Sequence, residues 1–369
     1  MALYATFLKR WPLQHGWYIE RSGLSWIHWR ILVIIFALVL LGISTVPLSE
    51  LFLTVQDHRE IFEVVVVRET LAGMPSAPIV KATELARKAI VCNLQNEQYV
   101  PNTLVLGYTI RKHNPNLGDE TDLVLLVPLD HDMTNTSLTR LQEVGWKIRP
   151  EPNLAVNGAE NLQPNYRRNF MKLIIWSWIE YRKVALIDAD CMCMGDISLW
   201  ISENFGASPL LSKLILEFGA VQDTVSRIMR AENFNTGVLS LVPSLPKFEY
   251  LLQALTEMPV EKDAEQGFLN HIYSLPPKTY NNSVYLRTEL PQTYNLNLQA
   301  YKSWRSDWDK LWPDARVVHF TVHKPWPRKM GNKDLGFEEA MDAWDNAWEE
   351  MIQKYNWVVD WDAMKTPPY

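Results

Sequence analysis

Short apolar runs alternate with segments of helical periodicity from about residue 88 onward. Three compact runs have the character of strands that are buried on both faces, namely residues 89–94, 123–127 and 183–187. Apolar side chains between them recur at helical spacing, in residues 101–112, 137–144 and 165–182. This alternation predicts an α/β fold with a mixed, mostly parallel sheet that is flanked by helices.

The same pattern continues toward the C-terminus. It predicts strands over residues 237–242 and 316–320, a helix over residues 245–257, and a further helix that begins near Asp263. Residues 336–355 carry large apolar side chains at spacings of three and four, which is typical of an amphipathic helix. We expect this last helix to pack against the domain rather than to carry chemistry.

One apolar segment differs from all of these. Residues 31–49 contain no charged side chain and have nearly the length of about 20 residues that a membrane-spanning helix needs. The segment begins too far from the N-terminus for a cleaved signal peptide. Residues 1–30 carry four basic side chains against one acidic side chain. The excess of positive charge predicts a type II membrane protein with its C-terminal part in a secretory lumen, and a buried core helix is the alternative.

The chain then divides into five predicted parts. These are a cytosolic tail (1–30), a transmembrane signal anchor (31–49), a stem (50–87), a catalytic domain (88–330) and a helical extension (331–369).

Composition supports a packed, folded chain. Of the 369 residues, 47% are hydrophobic and 21% are charged, so the chain can form a large core. The formal net charge of −6 gives no indication of nucleic-acid binding. Three cysteines are too few for a disulfide framework. We expect Cys191 and Cys193 to be buried packing residues.

Candidate chemistry lies at the end of one predicted strand. Asp188-Ala189-Asp190 follows the apolar run 183–187, and parallel sheets bind ligands at the carboxyl ends of their strands. Two carboxylates one residue apart can share a divalent cation such as Mg²⁺ or Mn²⁺, or they can be two solvated turn residues. His319 ends a second run, and its imidazole suits Mn²⁺ unless it is a core histidine. Lys324 follows, either as a phosphate ligand or as a surface charge.

Several blocks resemble one known family in their order and spacing. They are Asn96-Glu97-Gln98-Tyr99, Lys172-Leu173, Val184 to Asp190, Phe234-Asn235-Thr236-Gly237-Val238, Glu265-Gln266-Gly267, Leu290-Pro291 through Tyr294-Asn295, and Val317 to Phe320 with Lys324-Pro325-Trp326. Over roughly residues 88–326 the chain resembles glycosyltransferase family 8, the glycogenin-like group, and especially its fungal membrane-anchored members.

The resemblance implies a GT-A fold (a Rossmann-like sheet), a UDP-sugar donor, a glycan or glycoconjugate acceptor, Mn²⁺ dependence, retention of anomeric configuration and a Golgi location. It assigns metal binding to Asp188, Asp190 and His319. It assigns nucleotide-sugar binding to Leu94, Asn96, Tyr99, Lys172, Asp188, Ala189, Asp190, Asn235, Gln266 and Lys324. It assigns catalysis to Glu265, Lys172 and Gln266.

Three departures from the family pattern qualify these expectations. The usual aspartate of the Asp-Gln-Gly block is Glu265, which is one methylene longer. The spacer before Lys324 lacks a glycine, and residues 207–233 are charged and partly helical in pattern. These departures leave open a catalytically silent relative that binds nucleotide-sugar or glycan. A phosphotransferase is disfavoured because a complete strand–helix–strand unit precedes the acidic pair.

Overall fold

The computed structural model describes residues 87–162, 164–201, 218–223, 233–259, 263–274, 279–280, 283–284, 287–326 and 337–359. The predicted tail, anchor and nearly all of the stem lie outside these residues. None of the helices within the described residues has the length and apolar character needed to cross a bilayer.

Twelve strands occur in the described part of the chain. They are β1 (Arg87–Asn93), β2 (Thr121–Pro128), β3 (Lys147–Glu151), β4 (Tyr181–Asp188), β5 (Cys191–Cys193), β6 (Phe218–Gln222), β7 (Phe234–Leu241), β8 (Thr279–Tyr280), β9 (Ser283–Val284), β10 (Thr288–Leu290), β11 (Leu296–Asn297) and β12 (Val317–His319).

Eight α-helices accompany them. They are α1 (Val100–His113), α2 (Asn135–Glu143), α3 (Pro164–Arg167), α4 (Leu245–Glu257), α5 (Ala264–Ile272), α6 (Leu298–Ser303), α7 (Arg305–Leu311) and α8 (Glu338–Tyr355). Single 3₁₀ turns are present at Glu97–Tyr99, Ala159–Asn161, Gln292–Tyr294 and Trp312–Asp314, and a longer 3₁₀ helix spans Arg168–Ser177.

The main sheet has seven strands in the order β10-β6-β7-β4-β1-β2-β3. Strand β7 runs antiparallel to both of its neighbours, and every other neighbouring pair is parallel. The expectation of a mixed, mostly parallel sheet in an α/β fold is therefore confirmed. A smaller sheet of order β11-β12-β5 lies next to the acidic pair, and β8 pairs with β9.

Successive side chains of β1 point to opposite faces of the sheet, and both faces are buried, which explains why the strand is apolar at nearly every position. Ile90 and Cys92 belong to the core cluster on one face of the sheet, whereas Ala89 and Val91 belong to the cluster on the other face. Helices cover both faces, so side chains of both parities leave water.

The extension packs as predicted. Trp344 and Trp348 of α8 are buried and stack with ring centroids 5.3 Å apart. The Trp344 indole Nε1 donates to Asn102 Oδ1 on α1 at 2.6 Å. These contacts make α8 part of the domain core.

The predicted helix over residues 165–182 is wrong in its type and its end. Only Pro164–Arg167 is α-helical, and the 3₁₀ helix that follows ends at Ser177. Strand β4 begins at Tyr181 because Tyr181 pairs with Arg87 of β1. Tertiary pairing thus overrides the helical spacing of the side chains. Within the stretch 207–233, the described residues 218–222 form strand β6 rather than a helix.

Candidate functional site

The acidic pair occupies the turn between β4 and β5. Asp188 is the last residue of β4, and Asp190 immediately precedes β5. The Asn102 side-chain amide donates to the carbonyl oxygens of Ala189 and Cys191, each at 2.7 Å. This buried asparagine, which the sequence analysis did not single out, fixes the backbone that carries both carboxylates.

His319 lies against the second carboxylate. The pairing of β12 with β5 sets His319 opposite Cys191. The His319 Nε2 atom is then 3.1 Å from Asp190 Oδ1, and its Nδ1 atom is 3.0 Å from Asn295 Oδ1. The structure therefore brings together two residues of the predicted metal set that are far apart in the sequence.

The surrounding amides determine which nitrogen of His319 carries a proton. Asn235 Oδ1 accepts from the backbone N–H of Gly237 at 2.9 Å and from Asn295 Nδ2 at 2.8 Å. Asn295 must then present its oxygen to His319, so the Nδ1 atom of His319 is the donor. In the neutral imidazole, Nε2 directs a lone pair at the Asp190 carboxylate.

With a neutral imidazole, His319 Nε2 and the Asp190 carboxylate are two acceptors that face one another, and a cation between them would satisfy both. The donor set of a carboxylate and a neutral imidazole fits a divalent metal ion, and imidazole favours Mn²⁺ over Mg²⁺. Gly237 keeps this arrangement open, because a Cβ atom there would lie 2.3 Å from His319 Cε1.

A cysteine also lies within reach of this site. Donor atoms of Asp190, Cys191 and His319 are all within 4.8 Å of one another. Burial and the charges of Asp190 and Asp188 raise the pKa of the Cys191 thiol well above its usual value. Carboxylate oxygens suit Mn²⁺ or Mg²⁺, whereas thiolates suit softer metals, which favours the carboxylate donors over Cys191. Cys191 is buried, as expected.

Each carboxylate of the pair also has an ammonium group beside it. Lys172 Nζ is 2.7 Å from Asp188 Oδ1 and 2.9 Å from Glu265 Oε1. Lys324 Nζ contacts Asp190 Oδ2 and donates to the Phe320 carbonyl at 2.6 Å. The two lysines thus compensate the negative charge that the fold concentrates here.

These ion pairs shift the pKa values. Burial raises the pKa of Asp188, and the adjacent Asp190 charge adds to this effect. Burial opposes ionisation of Asp190, but the charge of Lys324 and its hydrogen bond outweigh it and hold the pKa of Asp190 well below its usual range. Burial would lower the pKa of Lys172, yet the charges of Asp188 and Glu265 raise it above the ordinary value. Lys172 is therefore a fixed positive charge at neutral pH.

The predicted catalytic residues at the start of α5 are held in a network. Thr236 Oγ1 donates to Glu265 Oε1 at 3.0 Å, so the same oxygen contacts both Thr236 and Lys172. Gln266 Oε1 accepts from Asn235 Nδ2 at 3.1 Å, and Gln266 Nε2 donates to Asp223 at 3.2 Å. Glu265 is 2% exposed, and its carboxylate is thus engaged with protein groups.

Most of the predicted site residues line one cavity of about 640 Å³. Its lining includes Asn96, Tyr99, Lys172, Asp188, Ala189, Asp190, Asn235, Glu265, Gln266 and Lys324. His319 lies behind Asp190. Leu94 is fully buried in the core and is not part of the lining. Asp263, a second carboxylate close to Glu265 in the sequence, also lines the cavity. Lining residues that were not predicted are Asn93, Gln95, Tyr166, Asn169, Thr236 and Thr321.

Aromatic side chains form one end of the cavity region. The Tyr99 ring meets the Trp326 ring edge to face, with centroids 5.6 Å apart. Trp326 Nε1 donates to the Gln98 carbonyl at 2.6 Å, which ties the closing motif to the segment after β1. Lys324 Nζ is 6.0 Å from the Tyr99 ring centroid. Tyr99 and the acidic pair thus line the same cavity from different parts of the chain.

Comparison with known families decides the membership of the chain. The sequence model of glycosyl transferase family 8 matches residues 90–330. The chain belongs to this family. The match covers the end of β1, the acidic pair and the closing motif together, so the resemblance to glycosyltransferase family 8 is confirmed.

The curated relatives of this family-8 chain carry names that refer to different glycosyltransferase activities. Glycogenin from Neurospora crassa is 27% identical over 259 residues, which is 68% of this chain and 33% of that protein. Inositol phosphorylceramide glucuronosyltransferase 1 from Arabidopsis thaliana is 25% identical over 261 residues, or 66% of this chain and 43% of that protein. The chain thus spans only a third to less than half of the length of these relatives.

A solved structure supports the fold. The bifunctional glycosyltransferase WbbM superposes with a TM-score of 0.51 at 14% identity, over 91% of this chain and 62% of that one. At this identity the likeness shows the fold alone, and it agrees with the GT-A-like architecture of the family.

Proposed function

We propose that this chain is a Mn²⁺-dependent, retaining glycosyltransferase that moves a sugar from a UDP-sugar to a glycan or glycoconjugate. The observation that supports the proposal most strongly is the meeting of Asp190 and His319 at 3.1 Å beside a cavity lined by Tyr99. Membership of glycosyl transferase family 8 agrees with it.

We assign separate roles in donor binding to the residues that lie around the acidic pair. Asp190 and His319, with Asp188, would hold the metal ion, which when bound neutralises the charge that develops on a diphosphate leaving group. Lys324 lies beside Asp190 and donates hydrogen bonds, so its ammonium group is placed to bind a phosphate oxygen. Tyr99 provides a ring on which a base can stack.

The sugar side of the proposed site is built on amides and one ion pair. Asn235 and Gln266 line the cavity and orient one another. Lys172 holds Glu265 and Asp188 at fixed positions. Since the Glu265 oxygen is engaged by Lys172 and Thr236, this carboxylate would act first by positioning its neighbours and the donor sugar.

A donor panel tests this proposal. Purified protein is incubated with UDP-glucose, UDP-galactose, UDP-N-acetylglucosamine, UDP-xylose and UDP-glucuronic acid, with Mn²⁺ or with a chelator, and released UDP is measured. We expect Mn²⁺-dependent release from at least one donor. UDP binding without any turnover would instead support a silent nucleotide-sugar-binding relative, for which the engaged state of Glu265 is the motivating observation.

We also propose that the chain is a type II membrane protein of the Golgi with its catalytic domain in the lumen. The support is the uncharged segment 31–49 and the basic residues before it. Protease treatment of intact microsomes should leave the domain protected until detergent is added. Digestion without detergent would contradict the topology.

A further inference from the structure

Asn93, the last residue of β1, is buried beside the cavity with its amide group unpaired. It is 4% exposed, yet it contributes to the cavity lining. Among the described residues, neither its Oδ1 nor its Nδ2 atom has a hydrogen-bond partner. A buried amide without partners destabilises a fold. Its position at a cavity points to a ligand that completes its hydrogen bonds.

Asn93 differs in this respect from the other buried asparagines of the described chain. The other four are all hydrogen-bonded through their side chains, namely Asn102, Asn114, Asn295 and Asn297. Asn114, for example, donates to the Ile110 carbonyl at 2.9 Å and accepts from the Ile197 amide at 2.7 Å. Among the buried asparagines of the described residues, Asn93 is thus the one whose side chain is wholly unpaired and the one that lines the cavity.

The register of the sheet identifies the part of a nucleotide that would lie near Asn93. Asn93 pairs with Asp188 of β4, and paired residues on neighbouring parallel strands share one face of the sheet. In the chain, Asn93 is followed closely by Asn96 and Tyr99, which also line the cavity. Asn93 thus lies beside the acidic pair and is close in the chain to the residues proposed to bind the base. In a nucleoside diphosphate, the ribose joins these two parts.

The chemistry of the amide matches ribose better than it matches the other two parts. A ribose diol both donates and accepts hydrogen bonds, and a carboxamide offers one acceptor oxygen and two N–H donors. Phosphate oxygens would instead call for a cation such as Lys324. The base already has a stacking partner in Tyr99.

We propose that the Asn93 carboxamide binds one or both ribose hydroxyls of the donor nucleotide and thereby favours nucleotides that carry the intact ribose diol. The inference rests on the proposed function, since it assumes that a nucleoside diphosphate occupies the cavity.

Calorimetric titration of the full chain in the presence of Mn²⁺ tests this inference, with UDP, 2′-deoxy-UDP and 3′-deoxy-UDP as probes. The wild type should bind UDP roughly five- to tenfold more tightly than at least one deoxy analogue, as expected for one or two hydrogen bonds. Asn93→Val should lose the same factor for UDP and should no longer distinguish UDP from that analogue. Preserved discrimination in the variant would overturn the inference.

Two further results distinguish a failure of the ribose assignment from a failure of the proposed nucleotide binding. If the wild type binds no UDP at all, the proposed function fails and the role of Asn93 fails with it. If the wild type binds UDP but Asn93→Val loses only the preference for UDP over CDP, Asn93 contacts the base, and the ribose assignment is wrong.

The melting temperature of the ligand-free protein distinguishes a ligand-binding role of Asn93 from a structural one. A structural role predicts that replacing Asn93 lowers the melting temperature. Removing an unpaired amide should leave the melting temperature of Asn93→Val unchanged or raised. Asn93→Ala serves as the second variant in case valine is too bulky for the site. Asn114→Ala is the matched control, because Asn114 is equally buried but fully bonded. Its melting temperature should fall by several degrees. A comparable fall for both Asn93 variants would show that Asn93 is structural.

Discussion

Replacing Lys172 with methionine should destabilise the domain far more than the loss of an ordinary surface charge. Lys172 is 2% exposed and lies between Asp188 at 2.7 Å and Glu265 at 2.9 Å. Methionine keeps most of the volume but leaves both carboxylates without the cation that compensates them. Removing one partner of a buried ion pair typically costs about 3–5 kcal/mol. We expect a loss in this range at neutral pH for Lys172→Met.

Urea denaturation of the metal-free protein, followed by tryptophan fluorescence, measures this difference. Lys112→Met is the matched control, because the Lys112–Glu350 ion pair is 41% and 48% exposed and is expected to contribute about 0–1 kcal/mol. A double variant, Lys172→Met with Glu265→Gln, should recover part of the loss because one unpaired charge disappears. If Lys172→Met cost no more than Lys112→Met, the two carboxylates would not depend on Lys172, and the reasoning would be refuted.

Two other variants test the electrostatics of the sheet and the geometry of the site. Asp122 accepts hydrogen bonds from Arg87 and Lys147 and has its pKa lowered to about 2, since these bonds outweigh its burial. Its contribution to stability is present above the unfolded pKa near 4 and is lost as the pH falls toward 2. Asp122→Asn should therefore cost about 1–2 kcal/mol at pH 7 and about half of that at pH 3 in urea denaturation, and an equal cost at both values would contradict this. Gly237→Ala should push the His319 ring away and weaken Mn²⁺ binding at least tenfold in a calorimetric titration, because the new Cβ would lie 2.3 Å from His319 Cε1; unchanged affinity would show that His319 is not a ligand.

The position of the acidic pair could be predicted from the sequence because it follows a single buried strand. The run 183–187 is apolar because β4 is buried on both faces, so its end, and hence Asp188, could be located from the pattern alone. His319 and Lys324 could be proposed as partners from their place at and after a second apolar run. Lys172, Asn235 and Gln266, in contrast, could be proposed only from the family resemblance. Asn102 and Thr236 were missed because their hydrogen bonds join residues 29 to 89 positions apart.

Leu94 shows a different difficulty. Successive strand residues point to opposite faces, so an assignment displaced by one residue moves to the other side of the sheet. Asn93 contributes to the cavity lining, whereas the Leu94 side chain packs in the core. The polar side chain of Asn93 within the otherwise apolar run 89–94 was the signal that distinguishes these two adjacent residues.

Metal binding at Asp190 and His319 is the central claim, and a direct titration of Mn²⁺ tests it. Free Mn²⁺ is followed by electron paramagnetic resonance in the presence of UDP, with wild type, Asp190→Asn and Cys191→Ser. We expect one site in the wild type, a loss of affinity of at least a hundredfold in Asp190→Asn, and no change in Cys191→Ser, because Mn²⁺ prefers oxygen ligands to a thiolate. Equal affinity of Asp190→Asn and wild type would contradict the account.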